Sequence, residues 1–231
     1  MSTVPAHGQI PVIPPHVPVA AEIDYDKFVT EDDTPVDSIY SERQHRLLTE
    51  SLFASWHAPD SQPHLAATDV GLFYAVNEPP VVPDVMISLG VAPNADWTEK
   101  KNRSYFVLVF GKAPDLVVEV VSNTEGGELS DKMRKYAKIG ITYYVVWDPL
   151  RMPSKTPLQC FALERRKYVA CKPTFPELGL GVTAWTGSYD GLQGDWLRWQ
   201  DQQGVLLPTG IERADRLAEK LRSLGVDPDQ A

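Results

Sequence analysis

Hydrophobic and polar residues alternate along most of this chain in short runs, and three stretches turn instead to helical periodicity. From Ser41 to about Trp56 the apolar residues Leu47, Leu48, Leu52 and Phe53 recur at helical spacing, which predicts a helix with Ser41 as N-cap. Strand-like runs follow at Leu65–Val76, Val81–Ser88, Asp115–Ser122 and Thr142–Asp148. Between Pro93 and Lys112 the polar run from Asn94 to Arg103 predicts a loop or a ragged hairpin arm. One helix, roughly Glu128 to Ile139 and closed by Gly140, separates the last two of those strands. After Pro149 the runs Leu158–Leu163, Lys167–Cys171, Leu180–Thr186 and Trp196–Gln200 predict a β meander.

The two ends of the chain differ from this middle. Residues 1–37 are rich in proline (Pro5, Pro11, Pro14, Pro15, Pro18) and then acidic at Glu31-Asp-Asp33. They read as an extended, disordered arm whose run Ile10-Pro-Val-Ile13 leaves docking on a partner open. In the tail, Thr209-Gly-Ile-Glu212 has the form of a capping box, and Ile211, Ala214, Leu217, Leu221 and Leu224 form an apolar stripe stopped by Gly225, with Pro228 beyond. That stripe is expected to pack on its own domain; a dimer contact is the other reading. The organisation that follows is an arm (1–37), one domain (38–205) and a C-terminal amphipathic helix (206–231), without internal repeats.

Composition narrows the function. With 22 Lys+Arg against 31 Asp+Glu the net charge is −9, which argues against a protein that coats nucleic acid by charge alone. It leaves open an enzyme whose local cations and bound metal offset the carboxylates. No run approaches the roughly 18 apolar residues of a membrane span. The first residues lack the basic and apolar regions of a secretory signal, and Cys160 and Cys171 make no disulfide framework, so a reduced, cytoplasmic setting is expected. The five histidines are scattered without HExxH or paired Cys-Cys spacing, which argues against zinc. GxxxxGK[ST], GxGxxG and GxSxG are all absent, so carboxylates and lysine are left to carry any chemistry.

The run Asp115-Leu-Val-Val-Glu-Val-Val-Ser122 sets Leu116, Val118 and Val120 on one face and Asp115, Val117, Glu119 and Val121 on the other. Both faces are apolar around Glu119, as in a strand buried on both sides. An unpaired carboxylate there costs several kcal/mol, by order of magnitude, so Glu119 requires a cation partner, a raised pKa or a metal. Asp84 is the only ionisable group in Val81-Val-Pro-Asp-Val-Met-Ile-Ser88. Alone it reads as a turn residue after Pro83; beside Glu119 it suggests a shared divalent cation, and Mg²⁺ takes one or two carboxylates plus waters. On the following helix Leu129, Met133, Tyr136, Ala137 and Gly140 gather into an inward stripe, and Lys132 lies at its edge, able to reach back to Glu119 or simply to snorkel.

These pieces resemble the PD-(D/E)xK nuclease superfamily, and within it the Uma-type branch of restriction endonucleases. The matching residues are Pro83-Asp84-Val-Met-Ile, Pro114-Asp-Leu-Val-Val-Glu119-Val-Val-Ser122, Asp131-Lys132 through Tyr136 to Gly140-Ile, and Tyr143-Tyr-Val-Val-Trp-Asp148-Pro149. The resemblance implies an α+β, restriction-endonuclease-like core in the order αβββαβ, with a mixed sheet between helices, and Mg²⁺-dependent phosphodiester hydrolysis. By motif position Asp84 and Glu119 match the acids of the second and third core strands. The superfamily's strand lysine would stand at Val121 and is missing; in the branch that this chain resembles, the helix bears it, at Lys132. Asp115 is a second-rank ligand or a structural residue. Glu42, Gln44 and His45, on the upstream helix, border the cleft or form a solvated first turn.

The mechanism so implied has Mg²⁺, or Mn²⁺ in its place, held by Asp84, Glu119 and the Val120 carbonyl, with Lys132 orienting the attacking water. Lys100, Lys101 and Arg103, and Arg165, Arg166 and Lys167 in an expected hairpin, are the clusters that would grip nucleic acid, DNA first, or else are ordinary surface. Two other readings stand beside this one: a catalytically silent nuclease fold kept for binding or assembly, and a metal-dependent hydrolase of another phosphoester such as RNA or nucleotides.

Overall fold

A computed structural model describes residues 38–75, 78–93, 95–96, 98–99, 102–121, 131–150 and 156–228. The expected arm, residues 1–37, lies outside them, as do Lys100 and Lys101. Among the described residues the chain forms α1 (Ile39–Ser55), β1 (His64–Thr68), β2 (Leu72–Phe73), β3 (Val85–Leu89), β4 (Tyr105–Phe106), α2 (Val107–Phe110), β5 (Leu116–Val120) and α3 (Asp131–Ile139). Then follow β6 (Tyr143–Trp147), β7 (Leu158–Glu164), β8 (Lys167–Ala170), β9 (Thr174–Phe175), β10 (Leu180–Tyr189), β11 (Leu192–Gln200) and α4 (Gly210–Ser223).

A six-stranded sheet runs β1-β3-β5-β6-β7-β8. Its β5–β6 pair is parallel and the others antiparallel, because α3 carries the chain across from β5 to β6 while the other neighbours pair antiparallel. With α1 in front and α3 between β5 and β6, the core order is αβββαβ, the α+β, restriction-endonuclease-like arrangement that the sequence motifs imply. The expected meander is present as the β7–β8 hairpin and the sheet β11-β10-β9. Every residue of β3, β5 and β6 is buried. Alternation along β5 divides two cores: Leu116, Val118 and Val120 meet Leu48 and Leu52 of α1 and Leu180, Leu197 and Trp199 of the second sheet. Val117 and Val121 meet Tyr136 of α3, Tyr144 and Tyr105 on the other face. The main sheet is thus sandwiched, and a charged group on β5 has no route to bulk water except past the strand ends.

Several local expectations need correction. The cap of α1 is Ser38, whose hydroxyl accepts from Ser41 N at 3.0 Å, three residues before the expected Ser41. Phe53 is exposed, while Ser41, Gln44, His45 and Ser51 are buried, so α1 hides a polar stripe beside its leucines. The stretch read as a loop between 93 and 112 contains β4, paired parallel with β2, and the single turn α2. The capping box at Thr209 and Glu212 forms, but the stripe of α4 does not close on its own domain: Ile211, Leu217 and Leu224 are exposed. Gly140, at φ +93°, ends α3 in the left-handed region and releases the chain into β6. No helix among the described residues is long and apolar enough to cross a membrane.

Candidate active site

The register places three acids side by side at one end of the sheet. Val85 pairs with Val118, so one step further Asp84 stands across from Glu119 on the same side. Thr68 pairs with Val85 on the other flank, so Asp69, just past β1, neighbours Asp84; its N–H donates to the Pro83 carbonyl at 3.2 Å. Asp69 sits at φ +54°, a left-handed turn that Asp tolerates better than most residues.

Cations are set among these acids. Lys132, in the first turn of α3, donates to Glu119 Oε2 at 2.6 Å, and the Tyr136 hydroxyl donates to Oε1. Spaced by four on one helix, Lys132 and Tyr136 share a face and hold both oxygens of one carboxylate. Asp84 Oδ2 accepts the Val120 N–H at 2.6 Å, and His45 Nε2 lies 3.7 Å from the same oxygen. Nδ1 of that ring is 3.3 Å from Asp69 Oδ2.

Glu119 is fully buried, Asp84 is 20 % exposed and Lys132 34 %. Burial first, and then the Asp84 charge, push Glu119 up to about 8 against the pull of Lys132 and Tyr136. The valine-flanked carboxylate therefore has both a cation partner and a raised pKa. Burial alone would pull His45 down, but the hydrogen bond to Asp69 and the nearness of the Asp84 carboxylate override it and push the ring up to about 10. Both ring nitrogens face carboxylate oxygens, which suits a ring protonated on both.

Residues 31–182 match the family model Uma2, described as "Putative restriction endonuclease". The chain belongs to this family. Uma2 proteins fall in the restriction-endonuclease-like superfamily, in agreement with the αβββαβ core. The matched segment of this Uma2 chain contains His45, Asp69, Asp84, Glu119, Lys132 and Tyr136, while β11 and α4 lie beyond it. A comparison with curated proteins finds no match.

Of the residues singled out in the Uma2 sequence, the fold brings together Asp84, Glu119, Val120 and Lys132. Val121, where the superfamily has its lysine, is buried among apolar side chains. Asp115 stands at the far end of β5, about 13 Å away by strand rise. There it accepts from Lys112 Nζ at 2.6 Å and Leu89 N at 2.7 Å, a local structural clasp rather than a ligand of this site. Gln44 is no cleft residue either: it is buried, bonded to both the N–H and the carbonyl of Leu197 on β11. Glu42 is exposed and clamped by Arg46.

The expected hairpin exists, with Arg165 and Arg166 both at positive φ in its turn and Lys167 opening β8. It closes at the Tyr143 end of the sheet, whereas Glu119 lies level with Val146 near the other end, so these three cations are remote from the acids. Arg103 donates to the Thr98 carbonyl within its own loop and borders a cavity with Leu65, Met86 and Phe110, whose lining does not include Asp84, Glu119 or Lys132. Lys100 and Lys101 lie outside the described residues.

Asp69 carries no signal in the sequence, His45 is marked there only as a neighbour of the cleft, and Tyr136 lies on the inward stripe of its helix. The Lys-x-x-x-Tyr spacing was the one available signal. Nothing in the sequence around Asp69 marked it, because its place depends on pairing with a strand sixteen residues later.

Two carboxylates side by side are the donor type that a hard divalent cation takes. Among the described residues no three His, Cys, Asp or Glu side chains converge as a complete ligand cage. Mg²⁺ needs none: it keeps several waters and takes one or two carboxylates. Asp84 Oδ1 accepts from none of the described residues, and its neighbour Glu119 is a buried oxygen donor level with it.

Proposed function

We propose that this Uma2 protein is a Mg²⁺-dependent nuclease that hydrolyses phosphodiester bonds, with DNA as its substrate and the cytoplasm as its compartment. The observation that carries the reading is the juxtaposition of Asp84, Glu119 and Lys132 at one sheet end, reached from three separate elements. Asp84, Glu119 and the Val120 carbonyl would hold the cation. Once bound, it would polarise the phosphate and lower the pKa of a coordinated water. Lys132 is the residue to orient that water and to stabilise charge growing on the non-bridging oxygens, since its ammonium already lies at the exposed rim of the acids. Tyr136 keeps one Glu119 oxygen fixed from below. The family's description, with its restriction endonuclease, favours DNA over RNA or nucleotides. With a net charge of −9, grip on duplex DNA should be weak and strongly dependent on salt.

The test is a cleavage screen of supercoiled, linear and single-stranded DNA beside RNA, in Mg²⁺, Mn²⁺ and EDTA. We expect metal-dependent nicking of the plasmid that falls about 100-fold or more in Lys132→Ala and Asp84→Asn. Cleavage that persists unchanged in both variants would defeat the assignment. One observation favours a second reading, the silent nuclease fold: each acid already has its own protein donors, Val120 N–H for Asp84 and Lys132 with Tyr136 for Glu119. Absence of Mn²⁺ binding, unaltered by Glu119→Ala, would decide for that reading.

A further inference from the structure

His45 has no part in the reaction just described, yet its ring lies between two of the acids beside it. Its ring is buried on α1, an element that supplies none of Asp84, Glu119 or Lys132. Nδ1 meets Asp69 Oδ2 at 3.3 Å, and Asp69 is tied through its own N–H to Pro83, the residue before Asp84. The two aspartates that flank the ring are therefore coupled through backbone, and the ring is wedged between them.

Nε2 is buried and lacks a hydrogen-bond partner among the described residues. At 3.7 Å from Asp84 Oδ2 it is within ion-pair range but beyond a normal N–H···O distance. A buried nitrogen left short of a partner is unfavourable for folding alone, so its direction calls for another explanation. Both groups that approach Asp84, this nitrogen and the Val120 N–H, converge on Oδ2. Oδ1 accepts no hydrogen bond from any described residue. Beside the ring a cavity of about 490 Å³ runs along α1, lined by Glu42, Arg43, His45, Thr68 and Asp69 among others.

We infer that His45, oriented by Asp69, is a positioning residue for Asp84, holding Oδ2 inward so that Oδ1 is the oxygen presented to a divalent cation. This rests on the reading of Asp84 as a cation ligand. An outer partner that aims a ligand is worth about 10- to 100-fold in metal affinity. Asp69 acts one link further out, through the ring.

The experiment titrates the full chain with Mn²⁺ alone by calorimetry, for wild type, His45→Ala, His45→Gln, His45→Asn and Asp69→Asn, with metal-free thermal melts of each. We expect His45→Ala to bind Mn²⁺ about tenfold more weakly. Gln, whose amide nitrogen reaches about as far as Nε2, should recover most of the loss; Asn, which reaches only the Nδ1 position, should not. Asp69→Asn, close to isosteric and retaining the ring, should fall between. In plasmid nicking, kcat should drop with KM for DNA unchanged. Wild-type affinity in His45→Ala, tighter binding there, or equal behaviour of Gln and Asn would overturn the inference while the nuclease reading stands. If Asp84→Ala and Glu119→Ala also leave the isotherm unchanged, the cation reading fails first and this inference falls with it.

Discussion

Replacing Tyr136 by phenylalanine deletes one hydroxyl and leaves the ring, which is fully buried and packs 5.3 Å from Tyr144, in place. The cavity created is negligible, so the change isolates the hydrogen bond to Glu119 Oε1. Burial above all, with the Glu119 charge, holds the Tyr136 hydroxyl well above its usual pKa, so it remains a donor throughout the working pH range. Above about pH 8, where Glu119 is ionised, a hydrogen bond to a charged group contributes about 1.5–3 kcal/mol, and here its loss leaves a buried carboxylate oxygen short of a partner. We expect a loss of about 2 kcal/mol, read from urea unfolding with an unchanged m-value, or a fall of about 4–8 °C in Tm. The decisive comparison is a double-mutant cycle with Glu119→Leu, which removes the acceptor. In that background the hydroxyl is itself stranded, so Tyr136→Phe should become neutral or stabilising, with a coupling energy near 2 kcal/mol. An equal cost in both backgrounds would show that the Tyr136 hydroxyl does not support Glu119, and the reasoning about the buried carboxylate would be wrong.

Gln44→Leu should destabilise by on the order of 3 kcal/mol, because β11 is an edge strand whose Leu197 N–H and carbonyl are both satisfied by the Gln44 amide; urea unfolding that matches wild type would refute this. Glu212 accepts from Arg198 at 2.6 and 2.7 Å, and that bond chiefly holds its carboxyl below the ordinary glutamate value. A carboxyl lowered by folding contributes stability above its unfolded pKa that is lost as pH falls through the folded one. Acid titration of Tm should therefore be shallower in Glu212→Gln than in wild type; superimposable curves would contradict the pairing. Cys160 is buried, which pushes its thiol up to about 12, and Cys171, its cross-strand neighbour, is raised for the same reason. Native protein at pH 8 should react slowly with DTNB at Cys160 and promptly once unfolded, and a fast native reaction there would show that β7 opens readily.

How much of this was legible beforehand follows from the range of the physics involved. Alternation along Asp115–Ser122 identified a doubly buried strand and, with it, the anomaly of Glu119; the helical wheel alone selected Lys132 as the lysine able to reach it. The capping box at Thr209 and the glycine stop at Gly140 were equally local. Each depends on a period of two or 3.6 residues, or on a four-residue turn, which the chain carries wherever it goes.

The remainder depended on which distant segments lie side by side. Asp69, Asp84 and Glu119 form a row only because β1, β3 and β5 pair in one particular register, and a slip of one residue would turn their side chains to opposite faces. The same pairing sent the Arg165–Lys167 turn and Asp115 to the opposite end of the sheet, although in sequence they look as eligible as any neighbour of Glu119. His45 and Gln44 are adjacent on α1 and chemically comparable; contact with β11 made one a strand-edge clasp, and contact with Asp69 and Asp84 made the other a wedge between acids. Local periodicity thus determined the elements and the one misplaced charge. The placement of partners around that charge was decided by long-range pairing and burial, which no short stretch of residues encodes.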